Sequence, residues 1–175
     1  MRLCTFHHDT ATRVGVITEG GVVDLSAAAP ELPQDMVALL AAGPEALRHA
    51  AHAAAHAKTR LALGAVRLEA PIPRPPKFLA IGLNYADHVV EAGIETPKIP
   101  TVFNKQSTCG SGPSDPIWMP RISQVLDYEG ELGIVIGRRC RHVPRERAHE
   151  SIAGYLVVND VSIRDWQLRV PTWTM

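Results

Sequence analysis

Four prolines fall within Ala70-Pro-Ile-Pro-Arg-Pro-Pro76. Each locks φ at about −65° and removes a backbone donor, so neither a helix nor a central strand can run through this stretch. The 175-residue chain is thereby divided. Residues 1–70 read as a small N-terminal domain, and residues 71–175 as a second domain entered through an extended linker or entry strand. The length suits one substantial core, or a small domain beside a larger one.

In the leading part, residues 2–6 and 13–18 have strand composition, Glu19-Gly20-Gly21 is a turn, and residues 22–25 continue the hairpin. Ala-rich sequence then predicts a short helix over 34–41 and a longer one over 44–58. Pro44 suits a first helical turn, and Gly64 lies beyond the end. Past the prolines, residues 77–81 predict a buried strand, 85–92 a helix stopped by Gly93, 101–103 a strand, and 109–116 a loop. Residues 132–136 predict another buried strand, 145–152 a short helix, and 155–160 an apolar run ending in a carboxylate. Strands dominate, which gives an α+β, mostly β fold class. Trp166 and Trp173, close to the last residue, need something to pack against.

Lys and Arg together number 18, as do Asp and Glu. That balance provides no global field for nucleic acid or an anionic membrane. No apolar stretch has the length of a membrane span, and residues 1–9 lack the pattern of a signal peptide. Cys4, Cys109 and Cys140 are odd in number and far apart. They suit reduced thiols and a cytoplasmic location, and no C-x-x-C pair suggests thiolate-bound zinc.

The chemistry concentrates in acidic residues. Glu129 and Glu131 are two apart, so on an extended chain they share a face as they lead into an apolar run. Two such carboxylates repel each other and lose hydration, and a divalent cation relieves both costs. Asp160 closes a second apolar run and could add a third oxygen. All-oxygen ligation selects Mg²⁺, Mn²⁺ or Ca²⁺ over zinc, and three protein ligands leave positions for substrate or water. The plainer alternative is a pair of solvated glutamates on an edge strand and an aspartate capping a turn. His88 and Glu91 lie three apart on the predicted helix, where a carboxylate can orient an imidazole as a base. The alternative there is an ordinary surface pair, with Asp87 as a competing partner. Were the chain helical after Asp160, Arg164 and Gln167 would share its face, and an arginine could hold a substrate carboxylate. The alternative is an ion pair of Arg164 with Asp165 or Asp160. His49, His52 and His56 recur on an Ala-rich helix. They read as a solvated face or, less simply, as ligands for a transition metal. Gly110-Ser-Gly112 lacks the following helix that phosphate binding needs. Residues 138–147 are basic without aromatic interleaving, unlike an RNA surface.

Four segments taken together carry a resemblance: Leu83-Asn-Tyr-Ala-Asp-His-Val-Val-Glu91, Phe103-Asn-Lys-Gln-Ser107, Asp127-Tyr-Glu-Gly-Glu-Leu-Gly-Ile-Val-Ile-Gly137 and Gly154-Tyr-Leu-Val-Val-Asn-Asp-Val-Ser-Ile-Arg-Asp-Trp-Gln167. In order and spacing they resemble the fumarylacetoacetate hydrolase family. The resemblance implies a fumarylacetoacetase-type mixed β-sandwich or roll as catalytic domain, a small N-terminal α/β domain before it, and a homodimer. It implies Mg²⁺ or Mn²⁺, with Ca²⁺ in some members, held at Glu129, Glu131 and Asp160. It further implies His88 as catalytic residue with Glu91 as its partner, and Arg164 and Gln167 as substrate-binding residues. The implied substrate is a small keto acid that chelates the ion. The leading expectation is a hydrolase cleaving a C–C bond in a 2,4-dioxo acid. An isomerase or decarboxylase of 2-hydroxy-diene or 2-oxo dicarboxylates in aromatic catabolism is the second, and a non-catalytic binding or oligomerising protein the third. The family pattern continues past Gln167 with a Gly-Lys-Ser-Phe-Asp-like stretch, so the expectation is a catalytic domain represented by its N-terminal part. Gln106 stands where hydrolase-branch members often carry proline, which leaves the reaction branch open.

Overall fold

The computed structural model describes residues 1–169; Trp173 lies outside them. Two compact units emerge. The first comprises Met1–Pro73, Gly110–Ile117 and Gly130–Asn159; the second comprises Arg74–Cys109, Trp118–Glu129 and residues 160–169.

In the first unit, β1 (Arg2–His8), β2 (Ala11–Thr18), β3 (Gly21–Asp24) and β4 (Arg67–Leu68) form an antiparallel sheet in the order β3-β2-β1-β4. Helices α1 (Leu25–Ala28), α2 (Met36–Ala41) and α3 (Gly43–His56) follow the hairpins. Val14, Val16, Val23, Leu25, Leu32, Met36 and Leu39 are the larger side chains of the buried cluster joining strands to helices. Phe6, Cys4 and Val22 form a second cluster, lined by Leu61, Val66 and Leu68. Gly15 permits this packing. A Cβ there would lie 2.8 Å from Phe6 Cε1, Val22 Cγ1 and the Val23 carbonyl, far inside van der Waals contact. Two aspartates start helices in the expected way. Asp24 accepts from the Ser26 N–H at 2.8 Å, and Asp35 from the Ala38 N–H at 2.9 Å. The short α1 and β4 have no counterpart in the sequence reading, because four- and two-residue elements are too brief to show a period.

This unit also holds β8 (Gly130–Ile136), paired antiparallel with β9 (Ile152–Asn159) from Gly130↔Asn159 to Ile136↔Ile152. The strand expected over 132–136 exists, but it is not buried. Leu132, Ile134 and Ile136 are 60%, 52% and 60% exposed, and Tyr155 and Val157 across from them are exposed too. An apolar run marks affinity for a covering layer, and the described residues put none over this two-stranded face. The helix expected over 145–152 is a 3₁₀ segment, Arg145–Ser151.

In the second unit, β5 (Leu79–Gly82) pairs antiparallel with β6 (Thr101–Asn104), and α4 (Ala86–Glu91) lies in the connection between them. The expected burial of the 77–81 strand also fails, since Leu79 and Ile81 are largely exposed. β7 (Leu126–Asp127) pairs with β10 (Ser162–Ile163), which leads directly into α5 (Arg164–Gln167). Val89 and Ser123 are the buried residues among those described in this unit. Among the described residues no helix is long and apolar enough to cross a membrane.

Candidate active site

The β7–β10 ladder assembles a charged cluster. Its register sets Ser162 opposite Asp127 and Ile163 opposite Leu126. The Arg164 N–H donates to the Val125 carbonyl at 3.0 Å, and the Asp160 N–H to the Glu129 carbonyl at 2.8 Å. Segments 125–129 and 160–164 are thus laced together by backbone bonds, and their acidic and basic side chains are delivered side by side.

Arg164 is the hub. Its Nε and Nη2 both reach Asp127 Oδ2 at 2.9 Å, while Nη1 reaches Glu129 Oε1 at 2.9 Å and Gln167 Oε1 at 3.0 Å. Ser162 Oγ donates to the same Glu129 oxygen at 2.6 Å. Lys105, immediately after β6, is anchored by its N–H to the Phe78 carbonyl at 2.9 Å. Its ammonium rests 5.3 Å from the Phe103 ring centroid and forms an ion pair with Asp160 Oδ1. Asp160 Oδ2 makes no hydrogen bond or ion pair among the described residues. Beneath the cluster, Ser123 Oγ donates to Asp165 Oδ1 at 2.6 Å and accepts from the Val125 N–H at 3.0 Å.

These partners replace both simple alternatives. Glu129 and Asp160 are not solvated surface acids; their side chains are 17% and 15% exposed. Arg164 pairs with Asp127 and Glu129 rather than with Asp165 or Asp160. Asp160 precedes α5 and so shares no helical face with Arg164. The cluster thus joins Glu129, Asp160, Arg164 and Gln167. It adds Asp127, Lys105 and Ser162, which pattern reasoning did not select. Each of the three sat inside a recognised motif, but a lone Lys, Asp or Ser has no periodic signal of its own.

Glu131 belongs to the first unit, on β8 opposite Val158 of β9, and is half-buried like the alternate residues Gly133 and Val135. His88 and Glu91 both lie on α4, whose Val89 is buried and whose end is marked by Gly93 at φ 64°. His88 is half-buried and Glu91 exposed. Among the described residues neither hydrogen-bonds the other or the cluster.

Among the described residues no group of three or more His, Cys, Asp or Glu is gathered as a metal-binding set. The donor chemistry nonetheless fits a hard cation. Within the second unit three carboxylates (Asp127, Glu129, Asp160) face two cations (Lys105, Arg164). The half-buried surplus is negative, which attracts a small oxygen-seeking ion.

The family model described as Fumarylacetoacetate (FAA) hydrolase C-terminal matches residues 77–175. Oxaloacetate tautomerase fahd2, mitochondrial, of Xenopus laevis is 40% identical over 173 residues, covering 97% of this chain and 54% of the relative. The crystal structure of maleylpyruvate hydrolase from Sphingobium sp. SYK-6, in complex with manganese(II) and pyruvate, superposes with a TM-score of 0.76 at 32% identity, covering 94% of this chain and 60% of that one. The 5-carboxymethyl-2-hydroxymuconate delta-isomerase of Mycobacterium smegmatis gives 0.71 at 31% identity, covering 99% and 60%. The chain spans about half the length of the curated relatives it matches.

Proposed function

The chain belongs to the fumarylacetoacetate hydrolase family, and from that premise we propose that it serves a divalent-metal-dependent enzyme that enolises a 2-oxo acid. The observation carrying this reading is the half-buried cluster of Asp127, Glu129 and Asp160, incompletely neutralised by Lys105 and Arg164. Glu129, Glu131 and Asp160 would hold Mg²⁺ or Mn²⁺. For Glu131 the support is sequence alternation and family likeness. When bound, such an ion supplies Lewis acidity toward a keto oxygen.

The chain's own residues divide the remaining work. Arg164 spends most of its donors on Asp127, Glu129 and Gln167. It therefore acts first as a positioning residue, holding Glu129 in place, with one Nη2 hydrogen left for a substrate carboxylate. His88 moves the proton at the carbon next to the keto group. Between branches, keto–enol isomerisation is favoured, because it needs only one proton carrier. Hydrolytic C–C cleavage also needs an oriented base for water, and His88 has no hydrogen bond to Glu91. Likeness to an oxaloacetate tautomerase along 97% of this chain points the same way. Hydrolysis stands as the second reading, supported by likeness to a maleylpyruvate hydrolase. A homodimer completes the proposal.

The deciding experiment follows enol absorbance of oxaloacetate and of an acylpyruvate, with product analysis, in Mg²⁺ and in Mn²⁺. Loss of enol without a new acid fragment or CO₂ supports isomerisation, whereas a new carboxylic acid supports hydrolysis. His88→Ala should lose turnover and keep Mn²⁺ binding; full activity in that variant would remove His88 from the reaction.

A further inference from the structure

A second set of metal-ligating side chains lies on α3, in the first unit, and the carboxylate chemistry makes no use of it. His52 and His56 occupy the last turn, four residues apart, so their imidazoles project from one face. The ring centroids are 4.2 Å apart and the planes 30° from parallel. Both residues are exposed. His56 Nδ1 lies 2.8 Å from the His52 carbonyl. A carbonyl only accepts, so Nδ1 carries the proton and donates, and the lone pair of the neutral ring sits on Nε2. A backbone carbonyl holding the distal N–H is the usual support of a metal-binding histidine, because it locks the tautomer and raises the basicity of the other nitrogen.

We propose that His52 and His56 form a two-imidazole site for a borderline divalent cation such as Zn²⁺ or Ni²⁺. The site differs in kind from the all-oxygen cluster, since imidazole nitrogen selects these ions over Mg²⁺ and Mn²⁺. Two histidines at this spacing can chelate one ion from a single helix. The helix end assists, because the last carbonyls carry partial negative charge. His49 stands outside the pair, its Nε2 held by Glu31 Oε1 at 2.9 Å. Lys58 and Arg60 follow the helix, and Arg60 donates to the Ala57 carbonyl at 2.9 Å. Their charge opposes a second cation and keeps the affinity modest. Two protein ligands leave the other coordination positions to water or to an outside donor, so the site binds an ion without building the fold around it.

The test is a Zn²⁺ titration of the untagged 175-residue chain, read by histidine-ring NMR and calorimetry. His52 and His56 signals should shift together and saturate. His52→Ala or His56→Ala should each weaken this binding by about tenfold or more, whereas His49→Ala should not. The shifts should persist in Glu129→Gln, so the result does not depend on the carboxylate cluster. Unmoved His52 and His56 signals at saturating Zn²⁺, or wild-type affinity in both single variants, would overturn the proposal.

Discussion

Lys105→Met separates a catalytic cluster from a merely structural one. The ammonium pairs with Asp160 Oδ1, and the two side chains are 21% and 15% exposed. Methionine keeps the apolar stem beside Phe103 and deletes the charge. A hydrogen bond between charged groups contributes about 1.5–3 kcal/mol, and partial exposure trims this, so the variant should lose about 1–2 kcal/mol of stability. That corresponds to a factor of about 5–30 in the folded-to-unfolded ratio. If Asp160 is an ion ligand, the same attraction is what Mn²⁺ must overcome when it takes a share of that carboxylate. Deleting the lysine should then tighten Mn²⁺ binding by a comparable factor, about 5–30-fold. Wild type and variant should consequently converge in stability as Mn²⁺ saturates. Denaturant melts across a Mn²⁺ series, paired with calorimetry, measure both halves. Lower stability with unchanged or weaker Mn²⁺ affinity would show Lys105–Asp160 to be a structural pair and refute the reasoning.

Burial pushes the Cys4 thiol up to about 11, while Cys109 and Cys140 are exposed. A thiol reagent at pH 8 should titrate two thiols in the native protein and the third only on unfolding. Because the folded value lies above the ordinary one, the neutral thiol's contribution is complete below about pH 9. It is lost as pH climbs toward 11, and Cys4→Val should flatten that loss in alkaline melts. Leu39→Ala, at a fully buried position, should cost about 2–5 kcal/mol by chemical denaturation. Val157→Ala, at a residue 88% exposed, should stay within about 0.5 kcal/mol. Equal losses would mean that burial does not govern the first unit's stability.

What the sequence made legible follows from how local each signal is. Strands β1 and β2, the turn at Gly20 and Gly21, helices α2 and α3, and α4 with its stop at Gly93 all carry their periods or breakers within a few residues. The apolar runs at 77–81 and 132–136 are largely exposed rather than buried, because an apolar run reports a preference for cover and not the presence of a covering layer. At the site, alternation and motif spacing singled out Glu129, Asp160, Arg164 and Gln167. Their partners were illegible. Asp127 meets Arg164 across 37 positions, and Lys105 meets Asp160 across 55. The first pairing comes from the β7–β10 register and the second from a loop residue after β6 meeting Asp160; neither leaves a trace in either segment alone.

The division of labour between apolar and polar forces bears on function. Large buried side chains concentrate in the sheet and helices of the first unit. In the second unit, the described residues around Arg164 are held by backbone bonds and charge pairs, with Ser123 as a buried polar prop. Apolar packing sets distances through contact and tolerates small rotations. Charge-assisted hydrogen bonds set directions, which is what the proposed enolising site would need, since its donors and acceptors must be aimed before charge develops. Arg164, clamped between Asp127 and Glu129, cannot turn without breaking several such bonds at once. Lys105 bears a single ion pair with Asp160, on a flexible stem. The cluster thus combines a rigid cation that orders its acids with a movable one, the asymmetry the proposed metal site would use, since Lys105 would have to yield to an incoming ion.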